Sequence, residues 1–195
     1  MAGATAPRAT LASRNENKLR ELARALAEWD LSLLEADEFP PEEGASYYEN
    51  ALTKARFGRA VRGSASWIVG EDSGIEVEAL GGGPGVTSAR FARGDPVGRL
   101  LQELEGVEDR RARYVCELVC LSPDHEEFRG TGVLRGRIAE EPRGSEGFGY
   151  DPIFVPEGET RTVAELGNDW KAEHSHRAHA ARALLDSIAA AVPTR

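Results

Sequence analysis

Residues 67–80 read WIVGEDSGIEVEAL: an apolar run, two adjacent acids, and a run in which apolar and charged residues alternate. This pattern predicts two strands joined at a glycine corner over residues 71–74. Carboxylates at the end of a buried strand are costly to desolvate unless cations or hydrogen-bond donors accompany them. We therefore expect a divalent metal at this corner, and the alternative is a solvated acidic turn.

The glycine-rich stretch GGGPG follows directly, at residues 81–85. Its backbone can adopt conformations that other residues disfavour, so a ligand or a second chain could approach it closely. No lysine follows the stretch, and the pattern G-x-x-x-x-G-K-[ST] occurs nowhere in the chain. The sequence therefore argues against phosphate binding of the P-loop type.

Length and composition favour a single globular domain over residues 1–195, with loose termini at residues 1–9 and 190–195. Hydrophobic residues make up 41% of the chain, charged residues make up 29%, and the formal net charge is −9. This charge argues against a nucleic-acid partner, because binding to a phosphate backbone needs clustered Lys and Arg. No apolar run has membrane-spanning length and the N-terminus lacks a signal-peptide pattern, so we expect no membrane partner and a cytoplasmic location.

Strand and helix patterns are interspersed along the chain. Strands are expected at residues 10–12, 114–121, 128–138 and 154–155. Helices are expected after Ser13 or Asn15, from Ser46 to about residue 61, from Asp95, and after Ser175. These elements predict an α/β fold with a mixed sheet. Cys116 and Cys120 would lie about 13 Å apart in one strand, too far for a disulfide, so we expect reduced core residues.

The N-terminus of the first predicted helix is rich in polar side chains: Ser13, Arg14, Asn15, Glu16, Asn17 and Lys18 occupy consecutive positions. Backbone N–H groups and the helix dipole favour an anion at such a position, and a phosphate would fit. The alternative is a plain helix cap followed by a solvated lysine.

A second polar segment, Phe148-Gly149-Tyr150-Asp151, combines two aromatic rings with a carboxylate around a glycine. Such a loop can stack a planar ring on an aromatic side chain and contact its edge with polar groups. The alternative is a tight turn with Phe148 in the core.

Three imidazoles lie within residues 174–179, but the spacing supplies no fourth zinc ligand, so we discount a zinc site. His176 and Arg177, close after Lys171, are better explained as donors to an anion or a carbonyl oxygen, and the alternative is an ordinary surface helix terminus.

The order of these motifs is more specific than any one of them. Ser-x-Asn-x-x-Lys is followed by Tyr-x-Glu-Asn-Ala-x-x-Lys-Ala, acid-Asp-Ser-Gly, Gly-Gly-x-Pro-Gly-Val-x-Ser-Ala-Arg, Phe-Gly-Tyr-Asp-Pro and Ser-His-Arg. From about Leu11 to Leu185 the sequence resembles the Ham1-like inosine triphosphate pyrophosphatases. The resemblance implies an elongated, two-lobed α/β fold with flanking helices, and a homodimer. It also implies Mg²⁺-dependent hydrolysis of the nucleoside triphosphates ITP, dITP and XTP to the monophosphate and pyrophosphate.

The resemblance also implies roles for individual residues. Asp72 corresponds to the general base and a metal ligand, and Glu42 to the second metal ligand. Ser73 would lie beside the metal, and Ser13, Asn15 and Lys18 correspond to the phosphate-binding block. Phe148 corresponds to the residue that stacks on the purine, within the substrate-binding block that also contains Gly149, Tyr150 and Asp151. Asp151 and three further residues correspond to those that contact the purine edge: Lys171, His176 and Arg177.

Three positions depart from the family pattern. Glu71 stands where Asp is usual, so its relation to the metal is open, while Trp170 replaces Glu and Ala178 replaces Gly. Two other functions stay open from the residues alone. One is a Maf-type pyrophosphatase with another base preference, and the other is a nucleotide-binding sensor without turnover.

Overall fold

The computed structural model of the protein describes residues 6–91 and 94–191. Within these residues the chain forms six strands and five α-helices. In chain order they are β1 (Arg8–Leu11), α1 (Glu16–Ala25), β2 (Asp30–Leu33), α2 (Tyr47–Arg62), β3 (Trp67–Val77), α3 (Pro96–Glu103), β4 (Arg111–Leu121), β5 (Glu127–Ile138), β6 (Phe154–Pro156), α4 (Val163–His174) and α5 (His176–Ala191).

The strands form one mixed sheet in the order β2-β1-β3-β4-β5-β6. Strand β1 pairs in parallel with β2 and β3, whereas β3, β4, β5 and β6 pair successively antiparallel. The two larger of three buried clusters lie toward opposite ends of the long strands, one around Leu22, Val69 and Leu184, the other around Ile75 and Leu100. These two cores correspond to the two expected lobes, and the α/β fold with a mixed sheet and flanking helices is confirmed.

The predicted helix starts are confirmed by their caps. The side chain of Asn15 accepts a hydrogen bond from the N–H of Asn17 at 2.9 Å, and Ser46, Asp95 and Ser175 accept equivalent bonds at α2, α3 and α5. Each bond satisfies a backbone donor that the helix itself leaves unpaired. In α2 the pattern Ser46-x-x-Glu49 is typical of a reciprocal capping box, but the carboxylate of Glu49 accepts from the N–H of Ala45 rather than from that of Ser46, so the box is not closed.

The predicted glycine corner is wrong. Residues Trp67–Val77 form one continuous strand, β3, and both acids lie in its middle. A Cβ added at Gly70 would collide with the carbonyl of Ala51 in α2, and one at Gly74 would collide with the carbonyl of Gly85. These glycines therefore serve close packing of neighbouring backbone against the strand instead of a change in chain direction.

Two elements were not expected from the sequence. Strand β2 has only four residues, and α4 contains Gly167 with a non-helical φ of 89°, so neither carries a sustained periodic pattern. The termini expected to be loose are partly structured, because Arg8 and Ala9 belong to β1 and α5 continues to Ala191. The remaining parts of that expectation, residues 1–5 and 192–195, lie outside the described residues.

Both cysteines are free and buried, as expected. Their thiols lie in the core cluster between the sheet and α5, where burial raises the pKa of each. Among the helices at residues 6–91 and 94–191, none is both long enough and apolar enough to cross a membrane.

Candidate active site

Strand β3 divides the site into two faces, because consecutive side chains of a strand point to opposite sides. Glu71 contacts Lys18 of α1 and Arg177 of α5 on one face. Asp72 contacts Asn50 and Lys54 of α2 on the other. The two adjacent acids therefore belong to two different groups of side chains.

The side chain of Glu71 is fully buried between two cations. Its Oε2 lies 2.6 Å from the Nζ of Lys18, and its Oε1 lies 3.1 Å from the Nε of Arg177. Burial by itself would raise the pKa of Glu71, but the charges of Lys18 and Arg177 outweigh it and lower that pKa. Glu71 is therefore held as a carboxylate.

Asp72 is held at both carboxylate oxygens. The Nζ of Lys54 donates to its Oδ1 at 2.9 Å, and the Nδ2 of Asn50 donates to its Oδ2 at 3.0 Å. Burial raises the pKa of Asp72, and Lys54 and Asn50 offset this rise only in part. A buried carboxyl of raised pKa is a better proton acceptor than an exposed one.

Glu42 shares the ammonium group of Lys54 with Asp72. Its other oxygen lies 3.2 Å from a guanidinium nitrogen of Arg90. Burial opposes ionisation of Glu42, but Lys54, with smaller contributions from Lys18 and Arg90, lowers its pKa overall. Lys54 also donates to the backbone carbonyl of Glu71 at 3.0 Å, so one ammonium joins three parts of the site.

The carboxylates of Asp72 and Glu42 fit the predicted metal site. Both reach the same ammonium of Lys54, so they converge on one point, and their oxygens are the hard donors that Mg²⁺ prefers. Within the described chain no cluster of three or more His, Cys, Asp or Glu side chains has metal-binding geometry. Two carboxylates suffice where substrate phosphates and water complete the coordination.

Asp151 organises the other end of the site. Its Oδ2 accepts from the Nζ of Lys171 at 2.5 Å and from the N–H of Phe148 at 2.8 Å, while the hydroxyl of Tyr114 donates to its Oδ1 at 3.2 Å. Burial raises the pKa of Asp151, and Lys171 opposes the rise. The ring of Phe148 covers two cations, with Lys171 at 4.8 Å and Arg177 at 5.2 Å from its centroid.

The buried imidazole of His176 stacks on the ring of Tyr114, with centroids 4.5 Å apart and planes 10° apart. Its Nδ1 has no hydrogen-bond partner among the described residues. Burial, reinforced by the charge of Arg177, lowers the pKa of His176 well below its ordinary value. The imidazole is therefore neutral at pH 7 and can offer one donor and one acceptor.

Sequence reasoning missed Glu21, Asn50 and Lys54. The carboxylate of Glu21 contacts the ammonium of Lys171 and lies 3.1 Å from a guanidinium nitrogen of Arg177. Its position three residues after Lys18 places both side chains on one face of α1, and this spacing was the available signal. For Asn50 and Lys54 the available signal was the motif Tyr-x-Glu-Asn-Ala-x-x-Lys-Ala, which contains both residues four positions apart and so on one face of a helix.

A cavity of about 280 Å³ gathers most of the predicted substrate-binding residues. Those that line it are Asn15, Lys18, Ser73, Phe148, Gly149, Tyr150, Asp151, His176 and Arg177.

Five predicted substrate-binding residues do not line this cavity. The ammonium of Lys171 lies behind Phe148, and the hydroxyl of Ser13 accepts from the N–H of Asn15 at 3.1 Å. Arg14 donates to the carbonyl of Asp37, and its guanidinium lies over the ring of Phe39. The side chain of Glu16 is exposed, and Asn17 lines a neighbouring groove.

A family model described as the Ham1 family matches residues 9–187. The chain belongs to the Ham1 family. A dITP/XTP pyrophosphatase of Thermus thermophilus is 43% identical over 95% of this chain and 93% of its own length. One of Bdellovibrio bacteriovorus is 39% identical over 91% of this chain and 96% of its own. The solved Staphylococcus aureus Ham1 protein has a TM-score of 0.81 and 31% identity, covering 94% and 98% of the two chains. The resemblance drawn from the ordered motifs is confirmed.

Proposed function

We propose that this Ham1-family chain hydrolyses non-standard purine nucleoside triphosphates (dITP, XTP and ITP) to the nucleoside monophosphate and pyrophosphate, with Mg²⁺. The names of its relatives support the reaction class. The observation that carries the proposal is that a cavity lined by cations and a pair of carboxylates lie on the two sides of one strand, β3. Lys18 and Arg177 line a single cavity, and Asp72 lies on the strand that forms its wall.

Asp72 is the proposed general base. Lys54 and Asn50 fix its two oxygens, and the raised pKa of Asp72 favours acceptance of a proton. The proton would come from the water that attacks the α-phosphorus, as the bond to the pyrophosphate oxygen breaks. Asp72 and Glu42 would hold Mg²⁺, which when bound offsets negative charge on the phosphate oxygens and on the departing pyrophosphate.

The opposite end of the cavity is proposed to select the base. Arg177 lines the cavity and can only donate hydrogen bonds, so it suits the 6-oxo acceptor of hypoxanthine or xanthine and disfavours the 6-amino group of adenine. Lys171 would support this end from behind Phe148. Phe148, whose ring already covers both cations, would stack on the purine. A polar mismatch of this kind can discriminate by about 10⁴-fold or more.

A substrate panel tests the proposal. With Mg²⁺ present, pyrophosphate release is measured for dITP, XTP, dATP, dTTP and UTP, and each assay is repeated with EDTA. We expect dITP and XTP to be cleaved fastest and EDTA to abolish release. Faster cleavage of dTTP or UTP than of dITP would favour the Maf-type alternative, and activity that persists in EDTA would contradict the proposed metal.

We also propose that the enzyme works as a homodimer, as the family resemblance implies, and that it acts on the cytoplasmic nucleotide pool. Light scattering coupled to size-exclusion chromatography would test this assembly, and a mass equal to one chain would contradict it.

A further inference from the structure

We propose that Glu71 is a positioning residue that couples the phosphate end of the cavity to its base end, and that it is not a metal ligand. A single carboxylate holds Lys18, which belongs to the phosphate end, and Arg177, which belongs to the base end. The inference rests on the proposed function for the identity of the two ends.

Glu71 contacts both cations from behind the cavity. Its side chain is fully buried and does not line the cavity wall, whereas Lys18 and Arg177 both line it. Glu71 therefore cannot touch a ligand in the cavity. It can, however, determine the positions of the Lys18 ammonium and the Arg177 guanidinium, which do line the cavity.

Arg177 is fixed in three directions. Its Nε lies 3.1 Å from Glu71, one terminal nitrogen lies 3.1 Å from Glu21, and the other donates to the hydroxyl of Ser73 at 2.7 Å. Three of its five N–H donors are thereby engaged, and the plane of the guanidinium is set. This orientation also places Arg177 over the ring of Phe148. Without Glu71, the Nε of Arg177 would lose its hydrogen-bond partner, and the guanidinium plane would be held by Glu21 and Ser73 alone.

Lys18 has a different role in the coupling. A bound phosphate chain competes with Glu71 for the ammonium of Lys18, because both are anions next to the same cation. As Lys18 moves its charge toward the phosphate, the carboxylate of Glu71 interacts more strongly with Arg177. Binding at the phosphate end thus orients the cation at the base end, and by linkage base binding has the same effect on phosphate affinity.

The contacts of Glu71 also separate it from the proposed metal site. Both of its oxygens face cations, and they lie on the strand face opposite to Asp72, Lys54 and Glu42. Lys54 reaches Glu71 only at its backbone carbonyl. An aspartate at this position would end one bond, about 1.5 Å, short of the two cations. The longer side chain is therefore suited to bridging them.

The test uses binding alone and requires no turnover. 2′-Deoxyinosine, which carries the base without a phosphate, is titrated into the protein with and without saturating pyrophosphate at constant Mg²⁺. In the wild-type protein we expect pyrophosphate to tighten deoxyinosine binding by about fivefold or more. In Glu71→Gln we expect this ratio to fall to about one, and deoxyinosine binding to weaken by about tenfold, since a charge-assisted contact that orients Arg177 is lost.

Glu76→Gln is the matched control. Glu76 lies on the same strand and pairs with a guanidinium, that of Arg113, at 2.7 Å, but it does not line the cavity. We expect the coupling ratio of this variant to equal that of the wild type. Circular dichroism and thermal unfolding of each variant confirm that the compared proteins are folded.

Lys18→Met tests the same coupling while Glu71 stays in place. Without Lys18, Glu71 interacts with Arg177 alone, so deoxyinosine affinity should approach that of the wild type saturated with pyrophosphate. A coupling ratio near one in the wild type, or an unchanged ratio in Glu71→Gln, would overturn the proposal. A Glu71→Gln protein whose only defect is weaker Mg²⁺ binding would overturn it in favour of a metal role. Failure of the wild type to cleave dITP would instead contradict the proposed function.

Discussion

Glu71 and Asp72 are adjacent acids on one strand, nearly equally buried at 1% and 3% exposure, yet the protein shifts their pKa values in opposite directions. Glu71 contacts two buried cations on its own face, and their charges overcome the cost of burial. Asp72 shares its single cation, Lys54, with Glu42, so burial prevails. Burial alone therefore does not set the chemistry of a carboxyl group, because the number of cations that it contacts determines the sign.

The two faces also differ in how their charges are paired. On the Glu71 face, the cations Lys171 and Arg177 and the acids Glu21 and Asp151 are paired with one another in a buried network. On the Asp72 face, the ammonium of Lys54 is distributed over two side-chain carboxylates and one carbonyl. The second arrangement therefore has fewer buried cations per carboxylate than the first.

The largest expected effect comes from Asp72→Asn. This change keeps the shape of the side chain but removes the proton acceptor, so we expect pyrophosphate release from dITP to fall by about 10²-fold to 10⁴-fold. Deoxyinosine binding should be retained, because Asp72 lies on the face away from the base. Glu76→Gln serves as control and should keep its activity. An Asp72→Asn enzyme with full turnover would remove Asp72 as the base and with it the functional contrast between the two faces.

A smaller effect is expected from Lys54→Met. Both Asp72 and Glu42 lose their shared cation, so the pKa of each should rise, since Lys54 lowers both. We expect kcat/KM for dITP to fall by about tenfold to a hundredfold, as for the loss of a charged hydrogen-bond partner. The acid limb of the rate profile should move to higher pH.

Arg56→Met on the same helix, where the side chain is exposed, is the matched control for Lys54→Met. Its rate profile should coincide with that of the wild type. An unshifted acid limb in Lys54→Met would show that Asp72 does not depend on this ammonium.

The smallest expected effect is on stability. The pKa of His176 is lowered in the folded protein from an ordinary value of 6.5, so the unfolded chain binds the proton first as pH falls. The contribution of neutral His176 to the free energy of unfolding is therefore complete above pH 6.5. Below pH 6.5 this contribution falls by about 1.4 kcal/mol per pH unit. Urea unfolding between pH 7.5 and 5.5 should show this slope in the wild type and lose it in His176→Gln. An exposed-histidine control, His125→Gln, should keep the slope, and equal slopes in all three proteins would contradict a buried neutral His176.

Local signals predicted much of the secondary structure. Asn15, Ser46, Asp95 and Ser175 cap their helices as expected, because capping depends on a side chain and backbone groups within three residues of it. The predicted glycine corner was wrong because the contacts that explain its glycines are not local. Gly70 and Gly74 face α2 and the backbone at Gly85, which are distant in sequence, and a local pattern cannot distinguish a turn from such a close approach.

The sequence by itself determined the family, the alternation of strands and helices, and the identity of most side chains around the cavity, because these follow from short patterns in a fixed order. Only the tertiary structure decided which face of β3 each acid occupies, and that Glu21, Asn50 and Lys54 complete the site. Those contacts join residues more than 15 positions apart in the chain: Asn50 with Asp72, Lys54 with Glu71, and Glu21 with Arg177. Charge pairing across such separations depends on how the sheet and helices pack, and packing leaves no local pattern in the sequence.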